Sequence, residues 1–309
     1  MKTFRLFLFL ILVSVSSAGR LNAADDNQDI IYINGEKFIS PLIEKWITEY
    51  LRQNPGTRIQ WADKNSKEID LNLVTNDDEP ALRSGKDLAY VGRYALLPVT
   101  TKGNPLYAQI TKKKFGKKEL RNLFFVDEDL LLEDTNKKKD PLQSRLTIYS
   151  GNGATSGAVV FASFFGFSPS NFRGKRISGD DIYLLNAIRK DSTGVTFNNL
   201  SYIFDLNDRQ LKDEIALLPL DLRKEQQEAL RSENLDETIA LLEEQKVELI
   251  PVHHIGFAYN EKDQVRDFLK WIITDGQKYN HEFGFLNLDE KTLTYQKKQL
   301  ETTLLTTTN

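Results

Sequence analysis

Apolar residues in this chain switch repeatedly between a period of about two and a period of 3.6, and that alternation limits the fold more than any other feature. IIYIN (30–34) has a buried-strand pattern and ends at the turn NGEK. SPLIEKWITEYLRQNPG follows, with Leu42, Ile43, Trp46, Ile47, Tyr50 and Leu51 on one helical face. Ser40 is the expected N-cap, Pro41 suits the first helical position, and Asn54, Pro55 and Gly56 stop the helix. RIQWA, IDLNLV and DLAYVGRYALLPVT (87–100) read as strands, the last broken by Gly92. Strand and helix runs in alternation predict an α/β architecture with a largely parallel sheet.

The pattern continues to the end of the chain. TKGNPLYAQI reads as a loop, KKELRNLFF as a short helix, and a lysine-rich polar stretch runs to about Asp140. RLTIYS is a strand, DDIYLLNAIRK an amphipathic helix, VTFNNLSYIF a strand, and IALLPLDL an extended segment. A charged helix is expected from Lys224 to about Glu244, a strand in VELIPVHHIGFAYN, and a long terminal helix in VRDFLKWIITDGQKYNHEFGF, closed by Gly284. The tail from 302 to 309 is of low complexity and is expected to fray.

RLTIYS feeds SGNGATSGAVVFASFFG (150–166), a glycine-rich, hydroxyl-bearing turn that opens an apolar helix. The first turn of a helix leaves N–H groups unpaired and carries about half a positive charge, so an anion is its natural guest. Gly151, Gly153 and Gly157 let the backbone approach, and Thr155 and Ser156 add hydroxyl donors. The stretch has no Lys or Arg, and no Lys follows the glycines at nucleotide-loop spacing. The alternative for this turn is a tight connection whose glycines serve only close packing.

MKTFRLFLFLILVSVSSAGRLNAADD reads as a signal peptide: Lys2 and Arg5 precede an apolar run too short to span a bilayer, with cleavage expected after Ala18 or Ala23. Residues 1–23 are therefore expected to be absent from a mature, periplasmic protein. Their loss removes Lys2, Arg5 and Arg20 from the 41 basic residues and none of the 44 acidic ones. Such an acidic chain is not expected to bind nucleic acid or an anionic membrane by charge. With 0 Cys it has no lipid-anchor cysteine, disulfide or thiolate metal site.

Four stretches carry a resemblance over roughly residues 30–290: FISPLIEKWITEYLRQNPGTRI; VGRYALLPVTTKGNPL with KKELRNLFF; the glycine turn with DDIYLLNAIRK and TGVTFNNLSYIF; and VRDFLKWIITDGQKYNHEFGFLNL. In these the chain resembles the phosphate-binding periplasmic proteins that serve ABC importers, the PstS-like family. The resemblance implies a two-lobed α/β fold of the type II periplasmic-binding-protein kind, with two crossing segments and an interlobe cleft. It places residues 27–99 and 206–301 in lobe 1 and 100–205 in lobe 2. It further implies an oxyanion held by backbone N–H groups and hydroxyls from both lobes, an Arg as countercharge, and an Asp that accepts the proton of hydrogen phosphate.

Carried over by position, the implied ligand-binding residues are Lys37 and Phe38 after the first strand, Asn65, Ser66, Thr75 and Asn76 in the middle segment, and Ser150, Gly153, Ala154, Thr155 and Ser156 at the glycine turn. This sequence departs from the family pattern at three places. Glu36 and Lys37 stand before Phe38, no Arg accompanies the glycine turn, and the helix between Ser66 and the following strand is missing. Thr75, Asn76 or Asp77 lies where the Asp is implied, and Lys37, from the opposite lobe, is the implied substitute for the Arg.

The remaining candidates have plain readings. His253 and His254 are adjacent, so in a strand they face opposite ways and cannot share a metal. Asp77 to Glu79 and the lysines from 112 to 118 read as solvated surface. No nucleophile–base or carboxylate-pair spacing supports an enzyme. The expectation is a monomeric solute-binding protein for phosphate or a related oxyanion, without cofactor or metal, working with an inner-membrane ABC permease by lobe closure. The alternative is a degenerate binding-protein scaffold that acts as an envelope interaction or sensing protein without an anion.

Overall fold

The computed structural model describes residues 30–63, 65–66, 68–76, 80–83, 85–126, 141–153 and 155–302. The expected signal peptide, Ala154, Asp77 to Glu79, most of the lysine-rich stretch before Asp140 and the tail from 303 lie outside the described residues. Strand β1 (Ile30–Asn34) runs into α1 (Ser40–Gln53), followed by β2 (Arg58–Trp61), β3 (Leu71–Val74) and the long β4 (Asp87–Thr101). Helices α2 (Tyr107–Ile110) and α3 (Lys117–Phe124) precede β5 (Thr147–Gly151), α4 (Ser156–Phe164), β6 (Lys175–Ile177) and α5 (Ile182–Lys190). Then come β7 (Gly194–Asn199), α6 (Leu200–Ile203), β8 (Ile215–Leu217), α7 (Lys224–Arg231) and α8 (Leu235–Glu244). The chain closes with β9 (Val252–Tyr259), α9 (Asp263–Thr274) and α10 (Glu290–Thr302).

The strands lie in the order β2-β1-β3-β9-β4-β7-β5-β6, with β8 paired to β4. Pairing is parallel at the flanks, in β1 with β2 and β3 and in β5 with β6 and β7. Through the middle it is antiparallel, because β9 runs against both β3 and β4, and β4 runs against β7 and β8. The expectation of a largely parallel sheet therefore holds for the flanks and fails at the centre.

Strand β4 belongs to both halves: Asp87 to Ala95 pair with β9, and Leu96 to Thr101 pair with β7 and β8. It bulges between Tyr90 and Gly92, where the sequence suggested a break, and continues. The return crossing lies at Pro251, whose carbonyl accepts the Leu96 N–H at 3.0 Å. Residues 215–217 pair with Val99 to Thr101 in the distal half of β4. The apolar run IALLPL completes that half of the sheet, with Ile215, Leu218 and Leu220 buried.

Each half has its own aromatic core. Helix α1 buries Leu42, Ile43, Trp46 and Tyr50, and the Trp46 indole N–H donates to Gly276 O at 3.0 Å. In the other half Phe161 stacks on Phe197, centroids 4.0 Å apart, and also packs on Phe124 and Phe165. Burying one such side chain contributes roughly 2–3 kcal/mol. Phe161 and Phe165, one turn apart, thereby fix the orientation of α4 and of its N-terminus.

Several local expectations shift. Ile39, not Ser40, occupies the N-cap position of α1, and Ser40 Oγ donates back to Glu36 O at 2.9 Å. The charged helix from Lys224 is two helices, parted where Glu233 adopts φ 52° and Asn234 caps α8. Helix α9 ends at Thr274, and two single turns carry the chain to Gly284 at φ 77°. Strand β7 ends at Asn199, whose side chain accepts the Tyr202 N–H and opens α6 within the stretch read as strand.

Candidate functional site

The turn after β1 presents Glu36, which the N–H groups of Ile39 and Ser40 and the Ser40 hydroxyl anchor through its carbonyl. Across the cleft, the glycine turn delivers the start of α4. Gly153 takes φ 88°, which favours glycine, and Thr155 occupies the N-cap position in extended conformation with no side-chain cap. Three neutral side chains converge between them. Thr75 Oγ1 donates to Glu36 Oε1 at 2.7 Å, Ser156 Oγ donates to the same oxygen, and Asn76 Nδ2 donates to Ser156 Oγ at 3.1 Å. The Thr75 and Ser156 hydroxyls also lie against each other. All three are buried, at 0 % exposure for Thr75, 5 % for Asn76 and 2 % for Ser156. Tyr94 supports Thr75 from β4, its hydroxyl donating to Thr75 O at 2.8 Å.

Behind the α4 N-terminus stands a second carboxyl. Asp181 precedes α5, and a Cβ on Gly157 would come within 2.2 Å of Asp181 Oδ2, so only glycine leaves room for it. Asn198 Nδ2 donates to Asp181 O at 2.7 Å and fixes the backbone. Burial pushes the Asp181 carboxyl up to about 7; the Thr155 hydroxyl and the Gly157 N–H oppose the rise, and the Glu36 and Asp180 carboxylates add to it. The Thr155 hydroxyl faces this carboxyl without a hydrogen bond of good geometry, and Asp181 Oδ1 has no hydrogen-bond partner among the described residues. Burial likewise pushes Glu36 upward, against the Ser156 and Thr75 hydroxyls and with the nearby Asp180. Burial and the neighbouring Asp180 raise the Tyr202 phenol. The resulting cleft is rich in neutral donors and in carboxyls that hold protons more tightly than usual.

Of the residues expected from sequence, Thr75, Asn76 and Ser156 come together. Thr155 lies beside them at the start of α4, and Ala154 falls outside the described residues. Gly153 supplies the bend and sits against Pro169. Ser150 is buried in β5 at 0 % exposure, and its hydroxyl has no hydrogen-bond partner among the described residues. Phe38 is core, packed on Tyr94 and Phe285 at centroid distances of 5.3 and 5.9 Å. Asn65 and Ser66 are elsewhere, in a self-contained turn whose N–H groups both donate to Asp63 Oδ1. Lys37 is exposed rather than gathered with the donors.

Glu36 and Asp181 were not among the expected ligand residues. The signal for each was present: an acid in place of a small residue before Phe38, and an Asp pair at a helix start. His254 packs on Tyr90 with the rings tilted by 37° and approaches Asp289, and His253 meets Tyr94 edge-on. A cavity of about 310 Å³ lies apart from this cleft, lined by Lys112 to Lys114, Leu217 to Leu220 and Arg231.

No protein-family model matches the chain. No curated protein sequence matches it either. Solved structures do match in fold. A protein from Clostridium perfringens, described as a phosphate ABC transporter substrate-binding protein with bound phosphate, aligns with TM-score 0.56 and 12 % identity over 84 % of this chain and 100 % of that one. An ABC-type phosphate transport receptor from Vibrio cholerae aligns with TM-score 0.55 and 11 % identity, over the same 84 % of this chain and 100 % of its own. Among the described residues no helix is long and apolar enough to cross a membrane. The chain has the two-lobed α/β fold of type II periplasmic binding proteins, and in that fold it resembles phosphate ABC transporter substrate-binding proteins.

Proposed function

We propose that this chain is an exported, periplasmic solute-binding protein that takes a proton-bearing oxyanion of the phosphate class and works with an inner-membrane ABC permease as a monomer. In this reading lobe 1 comprises residues 30–95 and 251–301, lobe 2 comprises 96–250, and closure of the lobes about the ion is what the permease recognises. The observation that carries it is the convergence of the Thr75 and Ser156 hydroxyls, from the two sides of the cleft, on one carboxylate oxygen at the head of α4. A donor set that fits one oxygen anion fits another of similar size.

The carboxyls narrow the class. Fully deprotonated sulfate has no proton to offer the acidic side chains beside the head of α4, Asp180 and Asp181, whereas hydrogen phosphate carries one that a carboxyl oxygen accepts. Specificity for phosphate over sulfate follows from that proton. The resemblance in fold to two phosphate-associated transport proteins supports this choice.

A specific observation favours a second reading, an envelope interaction or sensing protein without an anion: the donors are already satisfied by Glu36. Thermal unfolding of the mature protein in millimolar phosphate, sulfate or molybdate separates the two, because a ligand bound only by the folded state raises the midpoint by mass action. A rise with phosphate that sulfate does not reproduce is the expected result. An unchanged midpoint with every oxyanion leaves the second reading.

A further inference from the structure

We propose that Glu36 is a tethered surrogate ligand, whose carboxylate takes the place of a solute oxygen between the lobes so that the cleft closes on the chain itself in the absence of solute. The inference rests on reading this cleft as the ligand site, and it concerns how the site is regulated rather than what fills it.

Three observations support it. First, the contact is interlobe: Glu36 follows β1, Thr75 follows β3, and Ser156 opens α4 beyond the crossing strand β4. Among the described residues a hydrogen bond from Ser156 Oγ joins the Glu36 side chain to the second half, where a bound anion would otherwise accept it. Second, Glu36 is held in place for this. Its carbonyl accepts from the Ser40 hydroxyl at 2.9 Å and from the Ser40 N–H at 3.2 Å, which fixes the turn to the first residue of α1. Third, the helix N-terminus behind Ser156 is occupied by another of the chain's own carboxyls, Asp181 against Gly157, so the anion-attracting end of α4 is served from within.

The energetics agree in direction. A free anion must give up translational and rotational freedom to bridge the lobes, whereas a side chain on a fixed turn has given up most of it on folding. An attached carboxylate therefore competes at high effective concentration, and an external oxyanion binds only by expelling it.

The chain has 0 Cys, so spin labels can be placed through single cysteines at exposed positions on the two lobes, Arg52 and Lys190, and the distance between them measured without phosphate. The wild type is expected to give one short, narrow distribution, and Glu36→Ala a longer or broader one. Ser156→Ala, which removes the partner from the other side, is expected to open the lobes as well; it keeps the test intact if the Glu36 variant folds poorly. Identical distributions in wild type and a folded variant overturn the proposal.

Titration with inorganic phosphate then separates this inference from the oxyanion reading. Tighter binding by Glu36→Ala, by tenfold or more, supports both. Lobe opening in Glu36→Ala with no phosphate heat in either protein supports the surrogate and removes the oxyanion.

Discussion

Gly157 shows how closely single residues are matched in this cleft. Its missing side chain leaves the space that Asp181 Oδ2 fills, 2.2 Å from where a Cβ would stand. Gly157→Ala is expected to expel that carboxyl and to destabilise the protein by about 2 kcal/mol, read from the urea midpoint. Asp181→Ala on the same background should recover part of the loss, because the two residues are in contact and their effects are not additive. At this scale the sequence was only half legible. Thr75, Asn76 and Ser156, named by position, lie together in the structure, whereas Asn65 and Ser66 form a separate turn. Lys37 was chosen because a buried anion needs a countercharge. Lys37 is exposed, and the side chains gathered around Ser156 are the Thr75 hydroxyl, the Asn76 amide and the Glu36 carboxyl.

Elements were more legible than site residues, because periodicity reports burial over many positions while a contact across a cleft leaves no local pattern. The face of α1 named from sequence is the buried one at Leu42, Ile43, Trp46 and Tyr50. Where the reading missed, a cap or a pairing decided. The split between α7 and α8 turns on Glu233 in the left-handed region and on Asn234, whose Oδ1 accepts the N–H groups of Asp236 and Glu237 at 2.9 and 3.1 Å. Both features look like ordinary polar residues in a charged helix. Asn234→Ala should cost about 1 kcal/mol of stability, measured by denaturant unfolding. Since Asn234 touches none of the cleft donors described above, the rise in melting midpoint that the proposed oxyanion site predicts in phosphate should be the same in this variant as in the wild type.

At the scale of the whole molecule, the two halves meet over carboxyls, so stability should depend on pH in the sense opposite to that of a protein held by salt bridges. Asp181 is held at about 7 in the folded chain against 3.8 for an ordinary aspartate. The folded state therefore binds this proton more tightly than the unfolded state, and stability falls as pH rises from about 4 through about 7, then levels off. A shift of that size corresponds to a loss on the order of 4 kcal/mol. The upward shift of Glu36 adds a contribution of the same sign. Groups facing Asp181 come from every element around it: Glu36 after β1, Thr155 and Gly157 at α4, Asp180 beside it, Asn198 in β7 and Tyr202 in α6. None of these supplies a positive charge that would reverse the sign. Asp181→Asn keeps an oxygen for the Gly157 N–H and removes the titration, so its stability should vary little across this range and exceed that of the wild type above pH 7. Urea unfolding of both proteins at intervals from pH 5 to pH 8 measures the difference directly. Curves that run parallel across the range would assign the slope to other groups and free Asp181 from any part in it.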